Sequence, residues 1–204
     1  MEHKGGKGCD YKSHPPLDHS KSLNDFESMG IPAFAPYEKF EPHFYTKIYG
    51  EFEVKDFPLT TTDNRWTHTN ADGSECPCYG FLITHPEMGR MIYATDTELV
   101  KWRFKGINHI LLGVNYDKDL IDNEDSAKVN HVYRGHMSID TACDFVKANN
   151  SKDLQNVIMC HLSKNNADKD LFIDKMKSAV PNANVDASEP KKEWLLRNPN
   201  ECPF

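Results

Sequence analysis

Length, composition and charge set the first limits on this chain. It has 204 residues, of which 38% are hydrophobic and 11% aromatic, which is enough for a packed core, so global disorder is not expected. The formal net charge of −7 argues against a surface that coats nucleic acid, although a local basic groove is allowed. The sequence holds no run of eighteen apolar residues and does not open on a signal peptide, so we expect a cytoplasmic protein without a membrane span.

The first part of the chain predicts one helix and then strands. Residues 1–17 are rich in Gly, Lys and Pro and predict an irregular segment, and a helix is expected from about Ser20 to Gly30. A short strand is expected over Ile31–Pro36, and the alternation within Phe40–Leu59 predicts one or two half-buried strands. The polar stretch Thr60–Glu75 predicts turns.

The second part repeats one design, in which a short apolar run ends at polar side chains. Helices are expected over Ser138–Val146 and about Ala167–Val180, between and after the later runs. The four runs are Phe81–Ile83 before Thr84-His85, Met91–Ala94 before Thr95-Asp96, Ile110–Val114 before Asn115-Tyr116-Asp117, and Val157–Cys160 before His161. Strands that alternate with helices predict an α/β fold whose site lies at the carboxyl edge of the sheet.

The cysteines do not predict a disulfide framework. The six are scattered, and Cys76-Pro77-Cys78 is a weak metal signal by itself. We expect reduced thiols, with Cys143 and Cys160 in apolar surroundings.

Four places in the sequence carry residues suited to metal or acid–base chemistry. Asp18-His19 offers an oxygen and a nitrogen ligand, although Asp18 could instead cap the following helix. Asp96 could ligate a metal or form a turn, His136 could be a loop residue before the helix cap Ser138, and His161 could be a buried histidine bonded to backbone. Each residue alone is ambiguous.

Together these motifs resemble one superfamily. The chain from Asp18 to Lys192 resembles the metallo-β-lactamase-fold hydrolases, in the branch of RNase Z and small bacterial and phage phosphodiesterases and nucleases. The resemblance is carried by Asp18–Leu23, Cys78–Ile83, Tyr93–Thr97 and His161–Asn166. It implies one domain over residues 1–204 with an α/β fold, a four-layer αββα sandwich that is shortened at its N-terminus.

The resemblance also implies roles for individual residues. Asp18 and His19 would bind one metal ion with His161, and Asp96 would bridge two ions. His68 is the candidate for a further ligand in the middle of the chain. His136 would be the general acid for the leaving oxygen, a role that suits an imidazole, and Asp18 would also orient the nucleophile. We expect one or two divalent ions, Zn²⁺ first, with Mn or Fe as alternatives.

Two departures from the family pattern stand out. The H-x-H-x-D-H signature is broken, because in His14-Pro15-Pro16-Leu17-Asp18-His19 a proline replaces the second histidine. Alternatively, His3 ends the H-x-H half and residues 5–17 are an insertion, which we favour slightly because no apolar strand precedes His14. The strands that open the family fold are also missing, which would leave a sheet edge uncovered and makes a homodimer or a partner chain plausible.

The expected function is therefore metal-dependent hydrolysis by metal-bound hydroxide with His136 as the general acid. The favoured substrate is a phosphodiester, either a small nucleotide or a nucleic-acid end, which makes the chain a phosphodiesterase or nuclease. The broken signature motivates an alternative, a degenerate, non-catalytic member of the fold that acts as a binding or interaction module. A third possibility keeps catalysis but changes the bond cleaved to a thioester, amide or lactam.

Overall fold

The protein is a mixed α/β structure built on one large sheet. The computed structural model describes residues 23–30, 46–61, 63–66, 68–69, 75–121, 133 and 135–198. The large sheet contains seven strands: β1 (Thr46–Tyr49), β2 (Phe52–Pro58), β5 (Tyr79–His85), β6 (Gly89–Ala94), β7 (His109–Gly113), β8 (Asn156–Cys160) and β9 (Asn184–Ala187). Two short strands, β3 (His68–Thr69) and β4 (Glu75–Cys76), pair in a small antiparallel sheet of their own.

The large sheet changes from antiparallel to parallel at β6. Its strand order is β1-β2-β5-β6-β7-β8-β9, and the first four strands pair antiparallel while β6 to β9 pair parallel. The carboxyl ends of β6, β7 and β8 therefore meet at one edge of the sheet, which is the edge at which the sequence places Asp96, Asn115 and His161.

The described helices are α1 (Leu23–Ser28), α2 (Ile139–Asn149) and α3 (Lys169–Ala179). Crossovers between parallel strands are almost always right-handed, so α2 and α3 cover the same face of the sheet, where they contact one another. The core beneath them joins fully buried strand residues such as Ile92, Ile110 and Val157 to Val146 and Phe172 of the helices. No helix in the described ranges could serve as a membrane span.

The first half of the described chain agrees with the prediction in its elements but not in its burial. Helix α1 ends before Gly30, whose φ of +74° suits glycine, and β1 and β2 form a hairpin within Phe40–Leu59. The expectation of half-buried strands is wrong for the outer half of this hairpin, where every β1 residue is exposed and Phe52 is 44% exposed. Strand β1 and the start of β2 lie at the far edge of the sheet, away from helices α2 and α3. The strand expected over Ile31–Pro36 lies outside the described residues.

The second half confirms the four apolar runs as strands and both helices. Ser138 caps α2 by accepting a hydrogen bond from the Thr141 amide, and α3 lies within the predicted range. Two features differ from the prediction. The strand β9 was missed, and β5 runs antiparallel to β6, so His85 lies at the sheet edge opposite to Asp96. The coarse α/β class is confirmed, and the four-layer αββα sandwich stays a prediction.

Candidate metal centre

Three loops at the carboxyl edge of the parallel strands bring together one carboxylate and two imidazoles. Asp96 follows β6, His161 follows β8, and His136 precedes α2. Extending the observed strand register by two pairs for β6 and by one pair for β8 places both Asp96 and His161 beside Val114, on opposite sides of β7. Neighbouring strands are about 4.8 Å apart, so the two backbones are separated by about 10 Å, which their side chains span.

The three side chains are in contact range of one another. Asp96 Oδ1 lies 3.0 Å from His161 Nδ1 and 3.8 Å from His136 Nδ1. The two imidazole rings have centroids 5.1 Å apart and are nearly perpendicular, at 86°. The Asp96 side chain is 10% exposed and the His136 side chain 16%, whereas His161 is 43% exposed, so the cluster opens to solvent on the side of His161.

The backbone at two of these residues adopts an unusual conformation. Asp96 has a φ of +54° and His161 a φ of +60°, in the left-handed region that non-glycine residues seldom occupy. Such a conformation costs on the order of 1 kcal/mol or more and persists only where the surroundings hold it. Backbone strain is concentrated at functional sites, and here it falls on both residues that end a strand at the cluster.

One segment after β7 holds the other two loops in place. The Asn115 amide donates to the Met137 carbonyl at 2.9 Å, and the Asn115 carbonyl accepts from the Ser163 amide at 2.9 Å. The Asn115 side-chain amide donates to the carbonyl of His161 at 2.9 Å. Asn115 therefore bonds both the segment that follows His136 and the turn that carries His161.

Close approach of the backbone fixes the position of the Asp96 loop. A Cβ atom added to Gly113 would lie 3.0 Å from Thr95 Cα and 3.5 Å from the Asp96 amide nitrogen. A contact of 3.0 Å with backbone cannot be relieved by rotating a side chain. Glycine at the end of β7 thus allows the Asp96 loop to approach the sheet edge.

Two ionisable side chains next to the cluster loops, Cys160 and Asp117, have defined charge states at neutral pH. Burial, with a further contribution from Asp96, raises the pKa of the Cys160 thiol to about 12, so this cysteine is a protonated thiol at neutral pH. Asp117 is 2% exposed and pairs with Lys175 Nζ at 2.7 Å. Burial raises the pKa of Asp117, but the hydrogen bonds from Lys175 and the Asp119 amide outweigh it, and the pKa is lowered overall.

The structure tests only part of the predicted ligand set. It brings Asp96 and His161 together with His136, the predicted general acid, in one group, and their individual roles stay predictions. The backbone of His68 lies in β3, opposite Cys76, and its role as a ligand stays a prediction. The predicted ligands His3, His14, Asp18 and His19 lie outside the described residues.

The donor set of the cluster fits a divalent metal ion. Asp96, His136 and His161 each offer one ligand atom, and these atoms lie within 4.8 Å of one another. A carboxylate with two imidazoles is a combination found for zinc and for non-haem iron. The described residues could therefore hold a divalent metal ion at this edge.

Asn115 and Gly113 are functional candidates that the sequence reasoning did not assign. In the sequence, Asn115 is one polar residue at a strand end, and its importance depends on which loops flank β7. Gly113 reads in the sequence as one residue of an apolar run.

A comparison with models of known protein families found no match, and a comparison with curated proteins found none either.

Proposed function

We propose that this protein is a metal-dependent hydrolase of phosphodiesters with a metallo-β-lactamase-like αββα fold. The observation that carries the proposal is the cluster of Asp96, His136 and His161 at one sheet edge. Three residues picked from separate sequence motifs converge there, from positions separated by 40 and 25 residues in the chain. The fold is supported at a coarser level by the mixed sheet with helices α2 and α3 over one face, since the proposed sandwich contains such a layer pair.

We assign Asp96 and His161 as metal ligands, because their ligand atoms make the shortest contact in the cluster. A bound divalent ion would supply a Lewis acid that lowers the pKa of water and offsets negative charge on the phosphoryl group. The buried Asp96 carboxylate contributes the negative charge that attracts the cation. The exposed side of His161 leaves room for a substrate to approach.

We assign His136 as the proton donor. Hydrolysis adds water across the P–O ester bond, so the oxygen that leaves phosphorus must gain a proton as that bond breaks. His136 lies 3.8 Å from Asp96 Oδ1, farther than His161, and its ring stands edge-on to the His161 ring. Imidazole has an ordinary pKa of about 6.5, which allows it to give up a proton near neutral pH.

Metal content and turnover of bis(p-nitrophenyl) phosphate test these assignments together. We expect purified wild-type protein to hold zinc, manganese or iron and to hydrolyse this diester. Asp96→Asn and His161→Asn should lower both metal content and turnover. His136→Asn should keep the metal and lower turnover of a dinucleotide, whose alkoxide leaving group needs a proton, more than turnover of bis(p-nitrophenyl) phosphate, whose nitrophenolate leaves without one. A matched control is His85→Asn, since His85 lies at the opposite sheet edge and should change neither quantity.

Three outcomes would contradict the proposal. Metal-free protein whose properties are unchanged in Asp96→Asn would favour the non-catalytic binding module. Loss of metal in His136→Asn would make His136 a ligand instead of the proton donor. Metal binding with turnover of a thioester or amide but not of the diester would move the activity to another bond. If Asp96→Asn fails to fold, the more exposed His161→Asn decides the question.

A further inference from the structure

A cleft lined by basic and aromatic side chains lies on the helix-covered side of the sheet, away from the metal cluster. It has a volume of about 280 Å³. Its cationic side chains are Lys55, Arg90, Arg103 and Lys105, and its aromatic side chains are Phe57, Trp102 and Phe104. The proposed activity does not use any of these residues.

The cleft is built from strand β2 and the crossover that joins β6 to β7. The Phe57 and Phe104 rings pack with centroids 4.9 Å apart, and the Phe104 amide donates to the Asn149 side chain at 2.7 Å. The Trp102 indole N–H donates to the Pro58 carbonyl at 3.2 Å. These bonds tie the crossover to β2 and to the end of α2, so the walls of the cleft are formed without a ligand.

Charge in the cleft is opposite in sign to that of the whole protein. Four cationic side chains and one carboxylate, the fully buried Asp56, line it, which gives a formal charge of +3. The full chain carries −7. Lys55, Arg103 and Lys105 are exposed, and Arg90 donates to the Lys105 carbonyl. Cations concentrated on an otherwise acidic protein indicate an anionic ligand.

Aromatic residues alternate with these cations along the crossover, which reads Lys101-Trp102-Arg103-Phe104-Lys105. Trp102 is 36% exposed although its N–H is bonded to Pro58, so part of the indole surface faces solvent. A basic groove with an exposed aromatic surface is the combination that binds single-stranded nucleic acid, through phosphates and stacked bases. An acidic peptide would need the cations but not the indole.

The position of the cleft suits a ligand that also reaches the metal cluster. Arg90 precedes Asp96 by six residues, and a strand rises about 3.3 Å per residue, so these two residues are at most about 20 Å apart. The crossover contains Asp96 near its start and leads to Trp102, so one segment of chain connects the cluster to the cleft.

We propose that this cleft binds a single strand of nucleic acid, with phosphates at Lys55, Arg103 and Lys105 and a base against Trp102. This inference rests on the proposed phosphodiester hydrolysis, because it names single-stranded nucleic acid as the class of substrate that the protein hydrolyses. Duplex DNA is disfavoured, since paired bases cannot stack on an indole and the acidic remainder of the protein repels a long polyanion.

Fluorescence anisotropy with a 12-nucleotide labelled oligo(dT) in EDTA tests the cleft without cleavage. We expect saturable binding by the wild-type protein that weakens with salt. Arg103→Gln/Lys105→Gln should reduce the slope of log affinity against log salt by about 1.4, at about 0.7 for each phosphate contact. Trp102→Ala should weaken binding about fivefold or more through lost stacking. Circular dichroism and the thermal midpoint establish whether each variant is folded. If Trp102→Ala does not fold, Trp102→Phe is measured in its place.

The matched control removes two lysines outside the cleft, Lys152→Gln/Lys177→Gln, both of which are exposed. It makes the same change in net charge, and we expect less than a twofold effect. Equal weakening by the control, no binding by wild type, or equal competition by polyglutamate of the same charge would overturn the inference. Because the assay contains no free metal, failure of the metal assignments would leave oligonucleotide binding intact, and failure here would leave the diesterase assay intact.

Discussion

Replacing Asn115 by alanine tests whether this side chain positions His161. The substitution removes one hydrogen bond of 2.9 Å to the His161 carbonyl, and a hydrogen bond of this kind contributes about 0.5–1.5 kcal/mol net. That carbonyl belongs to a residue with a φ of +60°, which needs such restraint. If the substitution removes about 1 kcal/mol of this restraint, metal binding must supply that free energy to restore the geometry of His161. The affinity for the metal therefore falls about fivefold.

The assay is competitive titration of zinc against a chromophoric chelator, with the thermal midpoint measured on the metal-free protein. We expect about fivefold weaker zinc binding in Asn115→Ala and a midpoint lowered by about 2–4 °C. The control is Asn184→Ala, which removes a weaker side-chain hydrogen bond of 3.4 Å to Asn156 at the opposite sheet edge. Unchanged zinc affinity in Asn115→Ala, with the midpoint lowered as expected, would refute the positioning role and leave a structural one.

Three further substitutions probe the surroundings of the site and the opposite edge. Gly113→Ala should displace the Asp96 loop, because the new Cβ meets Thr95 backbone at 3.0 Å; calorimetry should show a lower unfolding midpoint, and zinc titration a weaker affinity. Lys175→Met should lower the free energy of unfolding in urea by about 1–3 kcal/mol, because it leaves the buried Asp117 without its cationic hydrogen-bond donor, and adding Asp117→Asn should recover part of the loss. Burial lowers the pKa of His109, so near and below about pH 6.5 the unfolded state binds more protons than the native state. The free energy of unfolding should therefore fall from pH 7.5 to pH 5.5, and it should fall less in His109→Gln.

The sequence predicts β6, β7, β8 and the helices α2 and α3 well, since each of these three strands contains a continuous apolar run with an abrupt polar end. It also predicts that Asp96 and His161 share an edge, because parallel strands place their carboxyl ends together. The antiparallel β5 could not be distinguished in this way. Its apolar run resembles the others, and only its pairing with β6 shows that His85 lies at the far edge.

The parts of the site that could not be predicted depend on tertiary contacts. Nothing in the sequence around Asn115 shows that the loops of His136 and His161 flank it. Residue type indicates the left-handed backbone of Asp96 and His161 only weakly, since Asp and His enter that region more often than most residues but still seldom. The missed strand β9 is short, and its residues Asn184 and Asp186 obscure the apolar pattern of Val185 and Ala187. The basic cleft was foreseen only as a possibility that a net charge of −7 allows.

The separate origins of the three cluster residues have a thermodynamic consequence. Asp96, His136 and His161 lie on different loops, so an unfolded chain has no assembled set of donors, and an ion that binds the cluster binds the native state alone. At an ion concentration one hundred times the dissociation constant, this linkage would add about 2.7 kcal/mol to the free energy of unfolding. Removing the ion with EDTA would then lower the unfolding midpoint. The size of that shift would report on the assembly of the sheet edge as well as on the occupancy of the cluster.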